Sequence, residues 1–179
     1  MKQHVILIGF MGAGKTTVGK LLADSLGMPF IDSDEWIAQQ EQMPIATIFE
    51  TKGEAYFRSC ERAFCKQLSN EEPAVVSVGG GLPCFGDNIM VLNGLGLVIY
   101  INTSLQTLTQ RLKNDRENRP LLRDLKDEEL FRYSEDLITQ RKVFYKMAQL
   151  IIPNESNRPN DVVEKIKKEL NKQSLKRIL

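Results

Sequence analysis

The sequence has a single histidine, three cysteines and no long apolar run, and each shortage argues against a class of function. His4 stands at the entrance of the first apolar segment, too far from the glycine-rich loop after it to act as a base there. Cys60, Cys65 and Cys84 are odd in number and lack metal-ligand spacing, so we predict free thiols in a reducing cytoplasm. No apolar stretch approaches the roughly 20 residues that span a bilayer.

An excess of charge is also missing. Lys and Arg total 24 and Asp and Glu total 23, so the net charge indicates neither a nucleic-acid partner nor a membrane partner. The first apolar segment starts at residue 4, which leaves no room for a signal peptide before it, and we expect a cytoplasmic protein. With 179 residues, no internal repeat and no linker, the chain is expected to form one domain over residues 1–179.

Residues 5–26 contain a short apolar strand, a glycine-rich turn and a helical pattern. The turn reads G-F-M-G-A-G-K-T-T at residues 9–17, which fits the phosphate-binding pattern G-x-x-x-x-G-K-[ST]. Its three glycines let the backbone turn tightly and aim N–H groups at a polyphosphate. Lys15 can reach the β- and γ-phosphates, and the Thr16 hydroxyl can bind Mg²⁺. The segment predicts a nucleoside-triphosphate site, since an ordinary glycine turn would match this pattern and context only rarely.

Four further apolar segments have strand character and are separated by helical patterns. They lie near residues 30–31, 74–78, 97–101 and 150–152. The alternation predicts an α/β fold with a five-stranded, mostly parallel sheet flanked by helices. A helix over residues 35–41 is predicted to be capped by Ser33, whereas residues 85–94 contain no motif that we can interpret. Ligands of such sheets bind at the carboxyl ends of the strands.

Two of these strand ends carry candidate functional residues. Asp32 and Asp34 end the second strand, and on an extended backbone they would point the same way. Beside Mg·ATP, one could hold the metal through water and the other could receive the acceptor hydroxyl. A solvated turn with a helix cap is the alternative. Three glycines at residues 79–81 end the third strand, and close approach of a ligand to the backbone explains them best.

Arginines supply the remaining candidates. Arg58, Glu61 and Arg62 share one face of a helix, either as an exposed ion-pair cluster or as an arginine fork for a substrate carboxylate that Glu61 orients. Arg119 lies in a polar segment and is either a solvated loop charge or a lid arginine that closes on the γ-phosphate. Arg141 lies on a long helix, where a surface position is the default.

Together these motifs resemble the shikimate kinase family. Over residues 5–170 the family's segments occur in order: the phosphate loop, D-S-D at 32–34, F-R-x-x-E at 57–61, G-G-G at 79–81, R-P-L-L at 119–122 and R-x-x-x-Y at 141–145. The resemblance implies a P-loop core like that of nucleoside monophosphate kinases, a substrate-binding segment near 33–61 and a mobile lid near 114–125. It implies ATP-dependent phosphorylation of the 3-hydroxyl of shikimate, giving shikimate 3-phosphate and ADP, on the route to chorismate and the aromatic amino acids.

The resemblance also implies a role for each matching residue. Catalysis would fall to Lys15, Asp34 and Arg119, with Asp34 orienting the hydroxyl. ATP would be bound by Gly12, Ala13, Gly14, Lys15, Thr16, Thr17, Arg111, Arg119 and Arg158. Shikimate would be bound by Asp34, Arg58, Gly79, Gly80, Gly81 and Arg141, and the cofactor Mg²⁺ by Thr16 and Asp32. ATP and shikimate are the expected partners, without nucleic acid or membrane, and the chain is expected to be a monomer.

Two other functions compete with this interpretation. One is another small-molecule kinase of the same core, for gluconate or a nucleoside monophosphate. Arg58 and Arg141 together with the glycine run favour an anionic cyclic polyol instead. The other is a nucleotide-binding switch without transferase activity, in which Asp34 and the two arginines would have no substrate to serve.

Overall fold

A five-stranded parallel sheet forms the centre of the molecule. The structure is a computed structural model that describes residues 3–115, 122, 125–156 and 158–176, with the backbone alone for the last four. The strands are β1 (His4–Ile8), β2 (Phe30–Asp32), β3 (Val75–Ser77), β4 (Gly96–Asn102) and β5 (Leu150–Pro153). They pair in the order β2-β3-β1-β4-β5, and each pair is parallel. The predicted sheet is thereby confirmed.

Helices connect and flank these strands. They are α1 (Lys15–Leu26), α2 (Ser33–Glu41), α3 (Ile45–Leu68), α4 (Asn88–Leu95), α5 (Leu105–Asn114), α6 (Asp127–Tyr145) and α7 (Pro159–Lys176). Helix α4 occupies most of the segment in which the sequence analysis found no motif. Helix α3 is interrupted at Gly53, where φ is 78° and ψ is 172°. In the part of the chain that the structure describes, no helix is long and apolar enough to cross a membrane.

The apolar side chains form one large core and one small one. The central strands β1 and β4 are buried almost throughout, because helices cover a sheet of this type and its strands become continuous apolar runs. A second cluster between α2 and α3 has Ile37, Ile48, Phe57 and Cys60 at its centre, and Trp36 contacts both clusters. The three cysteines are free, as predicted.

The start of α2 differs from the prediction. Asp32, not Ser33, caps the helix, because one oxygen of its carboxylate accepts from the N–H groups of Asp34 and Glu35 at 3.0 and 3.5 Å. A carboxylate at this position also interacts favourably with the helix dipole. Ser33 is the first helical residue and is buried, and its hydroxyl accepts from the Gly79 N–H at 2.8 Å. The side chain predicted as a cap therefore joins α2 to the glycine run.

His4 has a structural position at the opposite end of β1 from the phosphate loop. The N–H of Ala74 donates to its Nδ1 at 3.1 Å, which leaves Nε2 to donate to the carbonyl of Leu68 at 3.0 Å. The ring is buried and both nitrogens are used, so a neutral imidazole joins the end of α3 to the start of β3. The prediction that His4 is not a base for the loop chemistry agrees with this position.

We expect His4→Ala to lower the free energy of unfolding by about 2–4 kcal/mol, because it leaves two buried backbone groups unpaired and opens a cavity. Urea unfolding of both proteins measures the difference. The kcat of the folded variant should be close to that of the native protein, since His4 is far from the carboxyl ends of the strands. A variant of native stability with little activity would contradict this structural role.

Candidate active site

The glycine-rich loop joins β1 to α1 at the carboxyl edge of the sheet. Gly14 caps α1 with a φ of 88°, in the left-handed region that favours glycine. Among the described residues, no side chain caps this helix and its first turn contains no acidic residue. The N–H groups of the first turn are therefore available to an anion at the positive end of the helix dipole. The local geometry matches the predicted triphosphate site.

Lys15 and Thr16 extend from this first turn. The Nζ of Lys15 donates to the carbonyl of Phe10 at 3.0 Å, which folds the side chain back over the loop. The Oγ1 of Thr16 donates to Oδ2 of Asp32 at 2.9 Å and lies 3.4 Å from the hydroxyl of Ser77. Hydroxyl and carboxylate oxygens are ligands that suit Mg²⁺. The structure thus brings the two predicted metal-binding residues together, with Ser77 beside them.

Asp34 contacts a different group from Asp32. The sequence analysis placed both on an extended backbone, and this is wrong for Asp34, because α2 begins at Ser33 and places Asp34 in its first turn. One oxygen of Asp34 lies only 2.6 Å from the point that a Cβ at Gly79 would occupy. Asp32 therefore lies beside the phosphate loop, through Thr16, and Asp34 lies beside the glycine run.

The glycine run makes room for candidate substrate residues of the protein itself. A Cβ at Gly81 would lie 2.7 Å from Nη1 of Arg58, and one at Gly79 would collide with Asp34. Real Cβ atoms essentially never approach so closely. The sequence analysis attributed the three glycines to a ligand near the backbone. In the structure Gly79 and Gly81 also leave room for the Asp34 carboxylate and the Arg58 guanidinium, and the ligand interpretation stays a prediction.

Two carboxylates hold Arg58. Its Nε and Nη2 donate to Oε1 of Glu54 at 3.2 and 2.7 Å, and Nη1 donates to Oε2 of Glu61 at 2.8 Å. The Arg58 side chain is 16% exposed and that of Glu61 only 1%. Arg62 is the arginine that forms an exposed ion pair. Its side chain is 69% exposed and pairs with Asp87. The two arginines that share a predicted face therefore have different environments.

Arg141 lies near the end of α6, one turn before Tyr145. Its Nη1 would be 3.6 Å from a Cβ at Gly80. The hydroxyl of Tyr145 donates to the carbonyl of Gly80 at 2.7 Å. Burial raises the pKa of Tyr145 above its ordinary value, so the phenol stays a neutral donor. This bond joins α6 to the glycine run, where Arg141 and Arg58 lie beside successive glycines.

Glu61 is a buried carboxyl group close to the charged residues that were predicted to bind the substrate. Burial raises its pKa to about 7, while the hydrogen bond and the charge of Arg58 lower it; Asp34 raises it further and Arg141 lowers it. Three predicted substrate residues therefore influence one carboxyl group. Its charge changes close to neutral pH.

We expect the native protein to lose stability through Glu61 as the pH rises from about 4.5 to about 7. Over this range the native state binds more protons at Glu61 than the unfolded state, so the free energy of unfolding falls with pH. Glu61→Gln cannot ionise and should lack this component, which amounts to at most about 3 kcal/mol. Urea unfolding at several pH values measures it.

Glu54→Gln is the matched control for that measurement. Glu54 binds the same arginine, but its side chain is 60% exposed. Its variant should keep the fall in stability between pH 4.5 and 7. Identical pH profiles for the native protein and Glu61→Gln would show that Glu61 does not titrate in this range.

Hydrogen bonds tie the phosphate loop to the segment after β5. Arg111 of α5 donates to the carbonyls of Gly12 at 3.3 Å and Ser156 at 2.9 Å. The side-chain amide of Asn154 donates to the carbonyl of Ala13 at 2.7 Å. The predicted ATP-binding residue Arg111 thus lies between the phosphate loop and the segment after β5.

Arg158 and Arg119 were also predicted to bind ATP. Arg158 is exposed just before α7, and Ser156 and Pro159 on either side of it line the cavity described below. Arg119 and most of the predicted lid over residues 114–125 lie outside the described residues. Within that range Leu122 is described, and it is fully buried in the main core.

An open cavity of about 460 Å³, a volume typical of small-molecule sites, lies between the phosphate loop and the start of the glycine run; Arg58, Gly81 and Arg141 are not among its lining residues. The lining residues that were predicted to bind ATP are Gly12, Gly14, Lys15, Thr16, Thr17 and Arg111. Those predicted to bind the acceptor are Asp34, Gly79 and Gly80. Asp32 and Ser77 complete the boundary between the two groups. The cavity therefore spans the phosphate loop and the first part of the glycine run.

The sequence analysis assigned no role to several residues that support this site. Ser77 ends β3, and Asn154 follows β5, so both are at strand ends where ligands bind. Glu54 precedes Arg58 by four residues, a helical spacing for ion pairs. Tyr145 was part of a motif without a stated role. Phe85 has no sequence signal, because its contact with Arg58 joins distant segments.

The parallel α/β fold and the phosphate loop, with an acid and two arginines at the neighbouring glycine run, define a P-loop kinase of the nucleoside-monophosphate-kinase-like class. The family model for shikimate kinase matches residues 11–171. The chain belongs to the shikimate kinase family.

Relatives of this family match nearly the whole chain. A shikimate kinase from a Sulfurihydrogenibium species is 41% identical over 164 residues, which cover 92% of this chain and 95% of the relative. The structure of shikimate kinase from Bacteroides thetaiotaomicron has a TM-score of 0.89 at 34% identity and covers 94% of this chain and 98% of its own. Shikimate kinase from Acinetobacter baumannii, solved in complex with shikimate, has a TM-score of 0.88 at 33% identity, with 97% and 95% covered.

Proposed function

We propose that this chain transfers the γ-phosphoryl group of ATP to the 3-hydroxyl of shikimate, giving shikimate 3-phosphate and ADP on the route to chorismate and the aromatic amino acids. The observation that carries the proposal is that Asp34, Arg58 and Arg141 meet at the glycine run beside the phosphate loop. A triphosphate site alone would suit any P-loop protein. An acid and two arginines at its edge suit an acceptor that has both a carboxylate and a hydroxyl group.

The two arginines bind the substrate carboxylate in this proposal. A guanidinium presents a planar set of N–H donors that matches the two oxygens of a carboxylate. Glu61 holds Arg58 in place through its 2.8 Å bond and offsets part of the repulsion between the two cations. With the carboxylate bound there, Asp34 orients the 3-hydroxyl toward the phosphate loop.

Phosphoryl transfer then proceeds in line. The hydroxyl oxygen forms a bond to the γ-phosphorus as the bond to the β,γ-bridging oxygen breaks, and Asp34 receives the hydroxyl proton. Lys15 and the N–H groups of α1 stabilise the charge on the phosphates. Thr16 and Asp32 are the oxygen groups that would hold Mg²⁺. When bound, Mg²⁺ supplies neutralisation of phosphate charge.

Several parts of the proposal rest on the sequence. Arg119 would neutralise charge on the γ-phosphate from a lid near residues 114–125, with the substrate-binding segment near 33–61. Arg111 and Arg158 would lie at the adenine. The chain would form a single domain, act as a monomer and work in the cytoplasm.

Production of ADP from Mg·ATP, with and without an acceptor, tests the function. We expect rapid turnover with shikimate and only background hydrolysis without it. Gluconate and a nucleoside monophosphate are the matched acceptors, because kinases of the same core could use them. Preferred turnover of either would overturn the proposal. No acceptor-dependent turnover at all would favour a nucleotide-binding switch.

A further inference from the structure

Phe85 lies outside every motif of the sequence analysis but against a candidate substrate residue. A short 3₁₀ turn, Leu82–Cys84, follows the glycine run and brings the ring of Phe85 over Arg58. The guanidinium carbon lies 3.8 Å from the ring centroid, which is well within the distance for a cation–π interaction. The ring is 38% exposed, so core packing alone does not explain its position.

The known contacts of Arg58 restrain the edges of its guanidinium. Three N–H groups bind Glu54 and Glu61, and a guanidinium has five in all. The contact with Glu54 is weak because that side chain is 60% exposed and its charge is screened. Glu61 then provides one firm attachment, which leaves the guanidinium plane able to tilt. The ring of Phe85 over the guanidinium opposes such tilting, and it lies closer than the ring of Phe57, whose centroid is 5.6 Å from the guanidinium carbon.

We propose that Phe85 is a positioning residue for the substrate carboxylate. By stacking on Arg58 it fixes the guanidinium plane, so that the N–H donors not used by Glu54 and Glu61 face the acceptor. The inference rests on the proposed role of Arg58 and assigns a substrate-positioning role to the segment after the glycine run. Because bidentate binding depends on a fixed plane, loss of the ring weakens recognition of the carboxylate and leaves the phosphate loop unaffected.

Phe85→Leu tests the stacking, because leucine keeps an apolar side chain and removes the aromatic face. We expect kcat/KM for shikimate to fall about five- to thirtyfold, with the KM for ATP unchanged. Phe85→Tyr retains the face and should stay close to the native value. Phe131→Leu is the matched control, since Phe131 on α6 is also 38% exposed, and it should behave as the native protein.

A double variant shows whether the effect passes through Arg58. In an Arg58→Ala background, Phe85→Leu should cause no further loss of kcat/KM, because the group that the ring positions is already gone. Equal losses in both backgrounds would overturn the inference. So would a native value for Phe85→Leu, or a loss in Phe85→Tyr as large as that in Phe85→Leu.

The inference and the proposed function fail in different ways. If Arg58→Ala leaves shikimate kinetics unchanged, the carboxylate role of Arg58 is wrong. If Arg58→Ala is impaired and Phe85→Leu is not, only the positioning role is wrong. The NMR signals of the Arg58 guanidinium in substrate-free protein give a readout without catalysis. The ring current of Phe85 should shift them, and Phe85→Leu should remove that shift.

Discussion

Lys15→Ala is expected to lower kcat by about 10³-fold, with a protein that folds as the native one does. The side chain donates to the Phe10 carbonyl at 3.0 Å and is thereby held over the loop where the phosphates are proposed to bind. Its charge acts when negative charge moves from the γ-phosphoryl group to the β-phosphate. Removing a fixed charge at that moment cannot be compensated by water, which must reorganise. Steady-state turnover with saturating ATP and shikimate measures the loss.

Lys20→Ala is the control for that result. Lys20 lies on the same helix, α1, but its side chain is 56% exposed and its Nζ is 3.7 Å from Glu35. It should retain native turnover. That result would show that the loss in Lys15→Ala depends on where the charge lies and not only on the loss of one lysine. Native kcat in a folded Lys15→Ala protein would remove the basis for the phosphate site.

Arg58→Ala and Arg141→Ala are each expected to reduce kcat/KM for shikimate by roughly thirtyfold to several thousandfold, the effect of breaking a buried charge pair. The KM for ATP should stay close to native. For Arg58 the loss also strands Glu61, which is 1% exposed and would lack its ion-pair partner. Arg58→Lys should be nearly as damaging, because an ammonium cannot reproduce the planar donors.

Arg62→Ala is the matched control for this second result. Arg62 lies one turn after Arg58 on α3 and is largely exposed, with Asp87 as its partner at 3.1 Å. Its removal should leave both substrates unaffected, since an exposed pair contributes little. If Arg62→Ala and Arg58→Ala behaved alike, a general effect on α3 would explain the data better than carboxylate binding.

Shikimate amide tests the same interaction from the ligand side. It retains the ring and the hydroxyls but has no charge, so it should be a poor substrate for the native protein. In Arg141→Ala the penalty should be much smaller, because the paired site is already broken. Equal phosphorylation of acid and amide by the native protein would show that the arginines do not bind a carboxylate, and a kinase for an uncharged polyol would become the better proposal.

Local patterns predicted much of this molecule because its strands and its loop depend on neighbours in sequence. The five strands were found as apolar runs, and the phosphate loop as a fixed spacing of glycine, lysine and threonine. Lys15, Thr16 and Asp32 then lie close together because the carboxyl ends of parallel strands share one edge. For such residues, the order of the strands and the position along the chain are nearly enough to predict where the side chain lies.

The remaining features depend on contacts between distant segments. Ser33 was predicted as a cap, yet it binds Gly79, which is far away in sequence. No sequence pattern indicated that Asp34 and Arg58, from other helices, lie against Gly79 and Gly81. Phe85 had no motif because stacking has no fixed sequence spacing. These features depend on side chains that come from another element, which a local rule does not describe.

The position of Trp36 between the two apolar clusters gives the protein a built-in optical probe. It is the only tryptophan in the chain, it lies two residues from Asp34, and its ring is 5.5 Å from that of Phe64. Indole emission depends on the polarity around the ring. Any displacement of the α2–α3 segment relative to the sheet will therefore change the intrinsic fluorescence of the unlabelled protein.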